Sequence, residues 1–299
     1  MKRLPRVAVL MATYNGIHYI EDQILSILNQ NSCKVFLFIS DNNSDDQTRK
    51  LLENLKKKNK NIEIFDFSKK NSFALNFYNL FLKINLKKFD FVALSDQDDI
   101  FIKNKFLKSI NFLNKYHAKG MSSKVKCFGN NNQELIQSIN QTKYDFLFEG
   151  AGQGCSFVIK SDCFIQFQDF CKEHYDLISN FYYHDWLIYI YFRSMKFNWI
   201  FYNDEALTLY RIHSNNNSGN KYSFHGLFKR LHKVLNGWYF TQIILANKIS
   251  RKLDSKIPNL LNLSIFNLIL LLFVNGRRKI SDRIISSIAI IFFILIKKK

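Results

Sequence analysis

What the sequence lacks narrows its class before any motif is read. Its five cysteines, at positions 33, 127, 155, 163 and 171, are odd in number and include no C-x-x-C pair, so neither a zinc knuckle nor a disulfide framework is indicated. Thiols used this way fit a reducing cytosol. No apolar run reaches the ~20 residues of a spanning helix. Leu260–Val274 is interrupted by two Asn and a Ser, and Ile284–Ile296 is thirteen residues long with two Ser. Behind a basic start, the apolar segment Val7–Ala12 has only six residues, too short for a signal-peptide core; it reads as a buried first strand. Glycine is scarce, ten in all, and three of the ten sit in Glu149-Gly150-Ala151-Gly152-Gln153-Gly154-Cys155. That loop is not a G-x-G-x-x-G fingerprint, because its sixth position is Cys155, and a Walker-type glycine–lysine loop is absent.

What is present is a chain of 299 residues with 47% apolar content, enough for a full core in one large domain or one domain with an appendage. The formal charge is +19, from 43 basic and 24 acidic residues. Nucleic acid, an anionic membrane surface and a phosphorylated substrate are the counter-charges it admits. Part of the excess is lysine in a chain rich in Asn, Ile and Phe, a signature of nucleotide bias as much as of a polyanionic partner.

Hydrophobic periodicity gives the organisation. Strand Val7–Ala12 is followed by Ile17, Ile20, Ile24 and Ile27 at helical spacing. Strand Lys34–Ser40 leads to a helix through Leu51, Leu52 and Leu55, and Ser44 and Gln47 have the spacing of a capping box. Strands at Ile62–Phe67 and Phe89–Ser95 alternate with helices at Phe73–Ile84 and Lys105–Tyr116, the pattern of a doubly wound parallel sheet. The order then changes. Strands are expected at Val125–Phe128 and Ser156–Lys160, helices from Ser161 and near His184, and a strand pair at Trp199–Tyr202 and Ala206–Arg211. The boundaries expected are 1–117 and 118–225 for two halves of one domain, and 226–299 for a basic, apolar helical region.

Two of the strands end in carboxylates. Lys34–Ser40 runs into Asp41-Asn42-Asn43-Ser44-Asp45-Asp46, and Phe89–Ser95 into Asp96-Gln97-Asp98-Asp99. Ionised carboxylates side by side repel, so such a cluster calls for a cation or hydrogen-bond donors, and a hard divalent metal is the obvious candidate. In open α/β sheets ligands bind beyond the carboxyl ends of strands, so two acidic strand ends suggest one shared site. The glycine loop before Ser156 is either a close backbone approach to a ligand or a tight turn.

Three segments, Val9-Leu10-Met11-Ala12-Thr13-Tyr14-Asn15-Gly16, Ile39-Ser40-Asp41-Asn42-Asn43-Ser44-Asp45-Asp46 and Leu94-Ser95-Asp96-Gln97-Asp98-Asp99, resemble in order and spacing the signatures of family 2 glycosyltransferases with the GT-A fold. His184-Asp185-Trp186 and Tyr210-Arg211-Ile212-His213-Ser214-Asn215-Asn216-Asn217-Ser218-Gly219 resemble its rhamnosyltransferase-like branch. The likeness spans about residues 5–225. It implies a GT-A fold, a Rossmann-like nucleotide-sugar-binding domain with a mixed central sheet, followed here by a C-terminal helical, partly apolar appendage.

The resemblance also implies roles. Thr13, Tyr14 and Asn15 would lie against the nucleotide, and Asp41 would accept the N3–H of uracil or thymine, a donor that purines lack. Asp96 would face ribose or metal, Asp98 would bind Mg²⁺ or Mn²⁺ bridging the diphosphate, and Asp99 would be a third member. Asp185 occupies the position of the base in an inverting transfer; in the first turn of its helix, the dipole would favour its ionised form. Gly154 and Arg211 would serve the nucleotide-sugar and His213 the metal or diphosphate. Trp186 is either an acceptor platform or a core aromatic.

The implied activity is metal-dependent, inverting transfer of a sugar, L-rhamnose from dTDP-L-rhamnose by the branch, to a bacterial surface polysaccharide or lipid-linked oligosaccharide. A carboxylate-metal nucleotidyltransferase or phosphohydrolase is the second reading, opposed by the missing Walker loop and the His-Asp-Trp unit. A basic nucleic-acid-binding protein is the third, opposed by the lack of a recognition motif. The expected partners are therefore the nucleotide-sugar donor, a glycan or lipid-linked acceptor and an anionic membrane surface, without nucleic acid. The last follows from Leu260–Val274 and Ile284–Ile296 flanking Gly276-Arg277-Arg278-Lys279: an apolar hairpin in an anionic interface, or else a packed helical appendage. The corresponding location is cytoplasmic, peripheral on the inner face of the membrane.

Overall fold

The computed structural model describes residues 3–67, 73–129, 134–135, 141–213 and 236–297. Its strands are β1 (Arg6–Thr13), β2 (Lys34–Asp41), β3 (Ile62–Asp66), β4 (Phe91–Ser95), β5 (Ile100–Phe101), β6 (Gly120–Ser123), β7 (Val125–Gly129), β8 (Glu134–Leu135), β9 (Val158–Lys160), β10 (Trp199–Tyr202) and β11 (Thr208–Ile212). The helices are α1 (Ile20–Leu28), α2 (Thr48–Lys58), α3 (Phe73–Lys83), α4 (Lys105–Lys115), α5 (Ser161–Glu173), α6 (Tyr175–Ile178), α7 (His184–Ser194), α8 (Trp238–Leu253), α9 (Ile265–Asn275) and α10 (Ile280–Lys297). Ser214–Gly219, part of the branch signature, lies outside the described residues.

Contacts divide the chain into two compact units. The first comprises Met1–Gln137, Gly152–Asp185 and Phe197–Arg211. Its seven-stranded sheet has the order β10-β6-β9-β4-β1-β2-β3. Strands β1, β2, β3 and β4 are parallel, as the strand–helix alternation predicts, whereas β9 is antiparallel to both β4 and β6. The sheet is mixed for that reason. Val7, Val9, Met11, Leu37 and Ile39 of β1 and β2 are all buried, because strands covered on both faces must be apolar almost throughout.

β6, β9 and β10 complete the sheet begun by β1–β4. Two details depart from the sequence reading. Trp199–Tyr202 and Thr208–Ile212 are not a pair: β10 joins β6 and β11 joins β5. The expected capping box is also absent. Ser44 Oγ donates instead to Asp41 Oδ1 at 2.5 Å, and α2 starts later, at Thr48. Its first turn is held by Asp46, whose Oδ1 accepts from the Thr48 N–H at 2.9 Å.

The second unit comprises Ser138–Ala151, Trp186–Lys196 and Ile212–Lys299. At its centre is the fully buried Asp145, which accepts from Tyr189 Oη at 2.7 Å and Arg193 Nη1 at 2.8 Å and lies 3.3 Å from Arg278 Nη1. Burial pushes the Asp145 carboxyl up, and the two guanidinium groups and the tyrosine hydroxyl oppose that rise. Arg278 also donates to the Gly150 carbonyl at 2.6 Å and lies 3.3 Å from Glu149, while Arg277 lies 3.6 Å from Glu149. The turn between α9 and α10 is thus anchored by its own arginines. Those arginines face carboxylates within the unit, so they are not the lipid-facing charges that the hairpin reading gave them.

Removing one partner of a buried ion pair leaves the other charge uncompensated, at a cost of roughly 3–5 kcal/mol. Asp145→Ala is therefore expected to lower the unfolding free energy by about that amount, measured by equilibrium urea denaturation. An unchanged midpoint would show that Arg193 and Arg278 find other counter-charges.

Candidate active site

Four chain segments of the first unit meet beyond the carboxyl ends of its parallel strands. β1 and β2 end side by side, with Thr13 in register with Asp41. The buried Asn76 of α3 fastens the pair by donating to the Thr13 and Ser40 carbonyls, each at 3.1 Å. Asn15, in left-handed backbone at φ 48°, then turns the chain. Its side chain donates to Asp45 Oδ1 at 2.6 Å and accepts from the Asp45 N–H at 3.0 Å. Of the three residues expected against a nucleotide, Thr13 is buried, Tyr14 is exposed and Asn15 braces the neighbouring acidic loop.

Asp41, almost fully buried, lines a cleft of about 140 Å³ with Asn43, Ser44, Arg49, Asp66 and Phe67. Burial raises its carboxyl above the usual range, opposed by hydrogen bonds from Ser44. Arg49, which bridges Glu53 and Asp66, adds positive charge to the same wall.

The second acidic loop is locked to the first strand by Gln97, a residue with no assigned role in the sequence reading. Its Oε1 accepts from Thr13 Oγ1 at 2.5 Å and the Tyr14 N–H at 2.9 Å, and its Nε2 donates to the Tyr14 carbonyl at 3.0 Å. A Cβ on Gly16 would fall 2.5 Å from that Oε1, which explains the glycine. The sequence signal was available: between two aspartates, an amide offers both a donor and an acceptor.

Asp99 lies at the centre of this loop, fully buried. Its Oδ1 accepts from the Arg211 N–H at 3.2 Å, and its Oδ2 has no hydrogen-bond partner among the described residues. Burial raises its pKa to about 7; the Asp98 charge adds to the rise, and the Cys155 thiol, Arg211 N–H and Lys105 oppose it. Asp96, half-buried, is pushed up by burial and then by the charges of Asp99, Asp98 and Asp185. Ligand atoms of Asp96, Asp99 and Cys155 all lie within 4.8 Å of one another. Crowded carboxylates and an orphaned buried oxygen are the donor set that a divalent cation fits.

Lys105 is a fully buried cation that sequence reasoning missed, since lysine at a helix start is ordinarily solvated. Its Nζ donates to the Cys155 carbonyl at 2.5 Å and Thr208 Oγ1 at 2.7 Å, and lies 3.7 Å from the centre of the Phe101 ring. Burial lowers its pKa to about 8. Arg211, expected on phosphate, is held among side chains of the first unit. Its Nε donates to the Asp98 carbonyl at 2.9 Å, and its guanidinium lies over Phe128 and Tyr19, 3.9 Å from Asp22.

Asp185 stands in the first turn of α7, as its spacing predicts. A Cβ on Gly154 would meet His184 Nε2 at 2.9 Å and Asp185 Cβ at 3.3 Å, so this glycine lets the loop pack against the helix start. His184 stacks on Phe77 with ring centres 3.7 Å apart, fully enclosed. In the second unit, Trp186 is a core aromatic and not an exposed platform: its indole N–H donates to the Phe146 carbonyl at 2.8 Å, and it stacks on Tyr239. His213, half-buried, follows β11 and groups by contacts with that unit.

A parallel strand set, an acidic loop after its fourth strand and an antiparallel strand beside that loop are the features of a GT-A-type fold. Residues 8–175 match the family model of Glycosyl transferase family 2, and the chain belongs to that family. It is 36% identical over 282 residues to the dTDP-rhamnosyl transferase RfbG of Shigella flexneri, covering 92% of this chain and 96% of the relative. A shorter match, 29% over 156 residues, covers 51% of this chain and 59% of the UDP-Glc:alpha-D-GlcNAc-diphosphoundecaprenol beta-1,3-glucosyltransferase WfgD of Escherichia coli. Among solved structures, residues 1–349 of S. aureus TarS in complex with UDP-GlcNAc align with TM-score 0.55 at 13% identity, over 90% of this chain and 81% of that one. GalNAc-T7 with UDP, GalNAc and Mn²⁺ aligns with TM-score 0.53 at 12% identity, over 79% and 50%. These structural likenesses show a GT-A-like fold, and the family match makes the chain a glycosyltransferase.

Burial lowers the pKa of His184 to about 3, while an unfolded histidine titrates near ~6.5. Between those values the unfolded chain binds a proton that the folded chain does not, so stability is lost as pH falls through that window. The slope for one such group is about 1.4 kcal/mol per pH unit. His184→Leu should therefore flatten the dependence of unfolding free energy on pH between roughly pH 6 and pH 4, measured by urea denaturation. Parallel wild-type and variant slopes would mean that the imidazole is protonated inside the fold.

Proposed function

We propose that the protein transfers L-rhamnose from dTDP-L-rhamnose, with inversion, to a carbohydrate hydroxyl of a bacterial surface polysaccharide or lipid-linked oligosaccharide. The observation that carries this reading is the identity of 36% along 92% of the chain to a dTDP-rhamnosyl transferase. The site is compatible with it. Asp41, whose Oδ1 accepts from Ser44, has a second carboxylate oxygen for the thymine N3–H. Thr13 and Tyr14 border the same strand ends. Gly154 takes its place in the donor site through the helix start it packs against.

Asp98 and Asp96 would hold a divalent cation, Mg²⁺ or Mn²⁺; when bound, it supplies positive charge to the departing diphosphate. Asp185 is the base. Its carboxylate takes the proton of the acceptor hydroxyl while that oxygen attacks the anomeric carbon from the face opposite the diphosphate. Its charge is felt at Asp96, so base and acidic loop share one electrostatic environment.

The direct test is transfer to a lipid-linked oligosaccharide acceptor from dTDP-rhamnose compared with UDP- and GDP-sugars. A GDP-sugar preference would contradict the role of Asp41. Asp185→Asn should bind donor normally and turn over at least ~10²-fold more slowly; turnover near wild type would move the base elsewhere.

The C-terminal helices carry the second part of the reading, attachment to an anionic membrane interface. No described helix is long and apolar enough to cross a membrane. Yet Phe266 of α9 is 74% exposed, and Ile280 and Ile285 of α10 are 66% and 64% exposed, an apolar surface suited to lying in an interface. Since Arg277 and Arg278 face Glu149 and Asp145, the apolar side chains are the principal anchor. Replacing Phe266, Leu270 and Ile285 by Ser should release the protein from anionic vesicles in co-sedimentation while leaving donor binding intact. Equal partitioning of variant and wild type would show that these residues contact something other than lipid.

A further inference from the structure

The motif-based cation ligands are all oxygen or imidazole donors, but the group that meets at the acidic loop includes a thiol. Ligand atoms of Asp96, Asp99 and Cys155 lie within 4.8 Å of one another, close enough for one ion to reach all three with small side-chain movements. We propose that Cys155 is a ligand of the cation site, which is therefore a mixed carboxylate–thiolate centre that takes thiophilic divalent ions such as Cd²⁺ and Zn²⁺ more tightly than Mg²⁺. The inference deepens the donor-site reading above and rests on it only for the use to which the bound cation is put.

The register of the sheet makes the meeting of these residues a built feature. In the antiparallel pairing of β4 with β9, Phe91 faces Lys160 and Ala93 faces Val158, and the short turn Gly154–Ser156 that leads into β9 carries Cys155. The backbone on the far side is fixed as well, since the Cys155 carbonyl accepts from the buried Lys105 at 2.5 Å.

A buried polar atom points to a ligand: Asp99 is fully buried and its Oδ2 lacks a hydrogen-bond partner among the described residues, a costly arrangement that a bound cation relieves. Asp96, half-buried, gives the ion its route from solvent. Binding replaces the S–H bond by a metal–sulfur bond and releases the thiol proton to water. Sulfur ligation shifts preference toward softer ions.

The test is titration of the full-length protein with Cd²⁺ alone, followed by the ultraviolet thiolate-to-cadmium charge-transfer band and by calorimetry. Wild type should develop the band, and Cys155→Ser should lose it and bind Cd²⁺ at least ~10-fold more weakly. Asp99→Asn should weaken Cd²⁺ in the same way, with the remaining four cysteines of the chain present in every sample as an internal background. Folding of each variant is checked by its thermal midpoint, and Cys155→Ala provides a second thiol-free protein. An identical band and affinity in wild type, Cys155→Ser and Cys155→Ala would overturn the proposal, as would the absence of any band in wild type. Mn²⁺-dependent binding of dTDP, measured on the same samples, keeps the outcomes apart: a protein that binds dTDP with Mn²⁺ but shows no thiolate band leaves the sugar-transfer reading standing without Cys155.

Discussion

The buried carboxylate of Asp99 is the constraint around which the first unit's site is arranged. A fully enclosed carboxylate is stable only where donors or cations replace its water. Arg211 answers with its backbone N–H, and Lys105 with a buried ammonium. Lys105 brings the same problem with it, because an ammonium without water also needs acceptors. It finds them in the Cys155 carbonyl and Thr208 Oγ1, with the Phe101 ring beneath it. One acid thereby fixes the start of α4, the turn before β9 and the strand β11, three segments far apart in sequence. The short pairing of β5 with β11 follows the same logic, since it is what carries Arg211 to Asp98 and Asp99.

A second buried acid organises the other unit by the same physics. Asp145 is enclosed between Arg193 and Arg278 and bonded to Tyr189, so the chain between α9 and α10 is tied to Ser138–Ala151 by charge. This changes the meaning of the basic turn Gly276-Arg277-Arg278-Lys279. In sequence, two arginines between apolar helices look like headgroup ligands. In the fold they are counter-ions, and the exposed residues of α9 and α10 are left as an apolar surface beside a turn whose two arginines are already paired.

The alternation of strands and helices through residue 116 was legible because each element is long, periodic and covered by its neighbours. The acidic strand ends were legible for a similar reason: charge at the end of an apolar run is rarely accidental. What was hidden is instructive. β6 reads Gly120-Met121-Ser122-Ser123, small and polar, yet all four residues are buried, so burial there is imposed by the sheet and not announced by hydrophobicity. Ser44 has the spacing of a cap, but a nearby buried acid, Asp41, takes its hydroxyl. Trp186 and Lys105 exchange their usual environments for reasons that lie in distant residues, Phe146 and Tyr239 for the one, Cys155 and Thr208 for the other. Local pattern cannot register partners 40 to 103 residues away.

The reversal of β9 is what turns a nucleotide-binding half-sheet into a site with two sides. A parallel strand next to β4 would begin at the amino edge of the sheet, and the residues preceding it would lie away from the acidic loop. Because β9 runs antiparallel to β4, the chain enters it from the carboxyl edge. The Gly154–Ser156 turn just before it consequently reaches Asp96 and Asp99, and through Gly154 it touches the start of α7, where His184 and Asp185 stand. The acidic loop comes from β4, the glycine turn from β9 and the candidate base from α7. They converge because one strand changes direction, so the mixed sheet is the structural condition for bringing Asp185 to the same edge as the carboxylates.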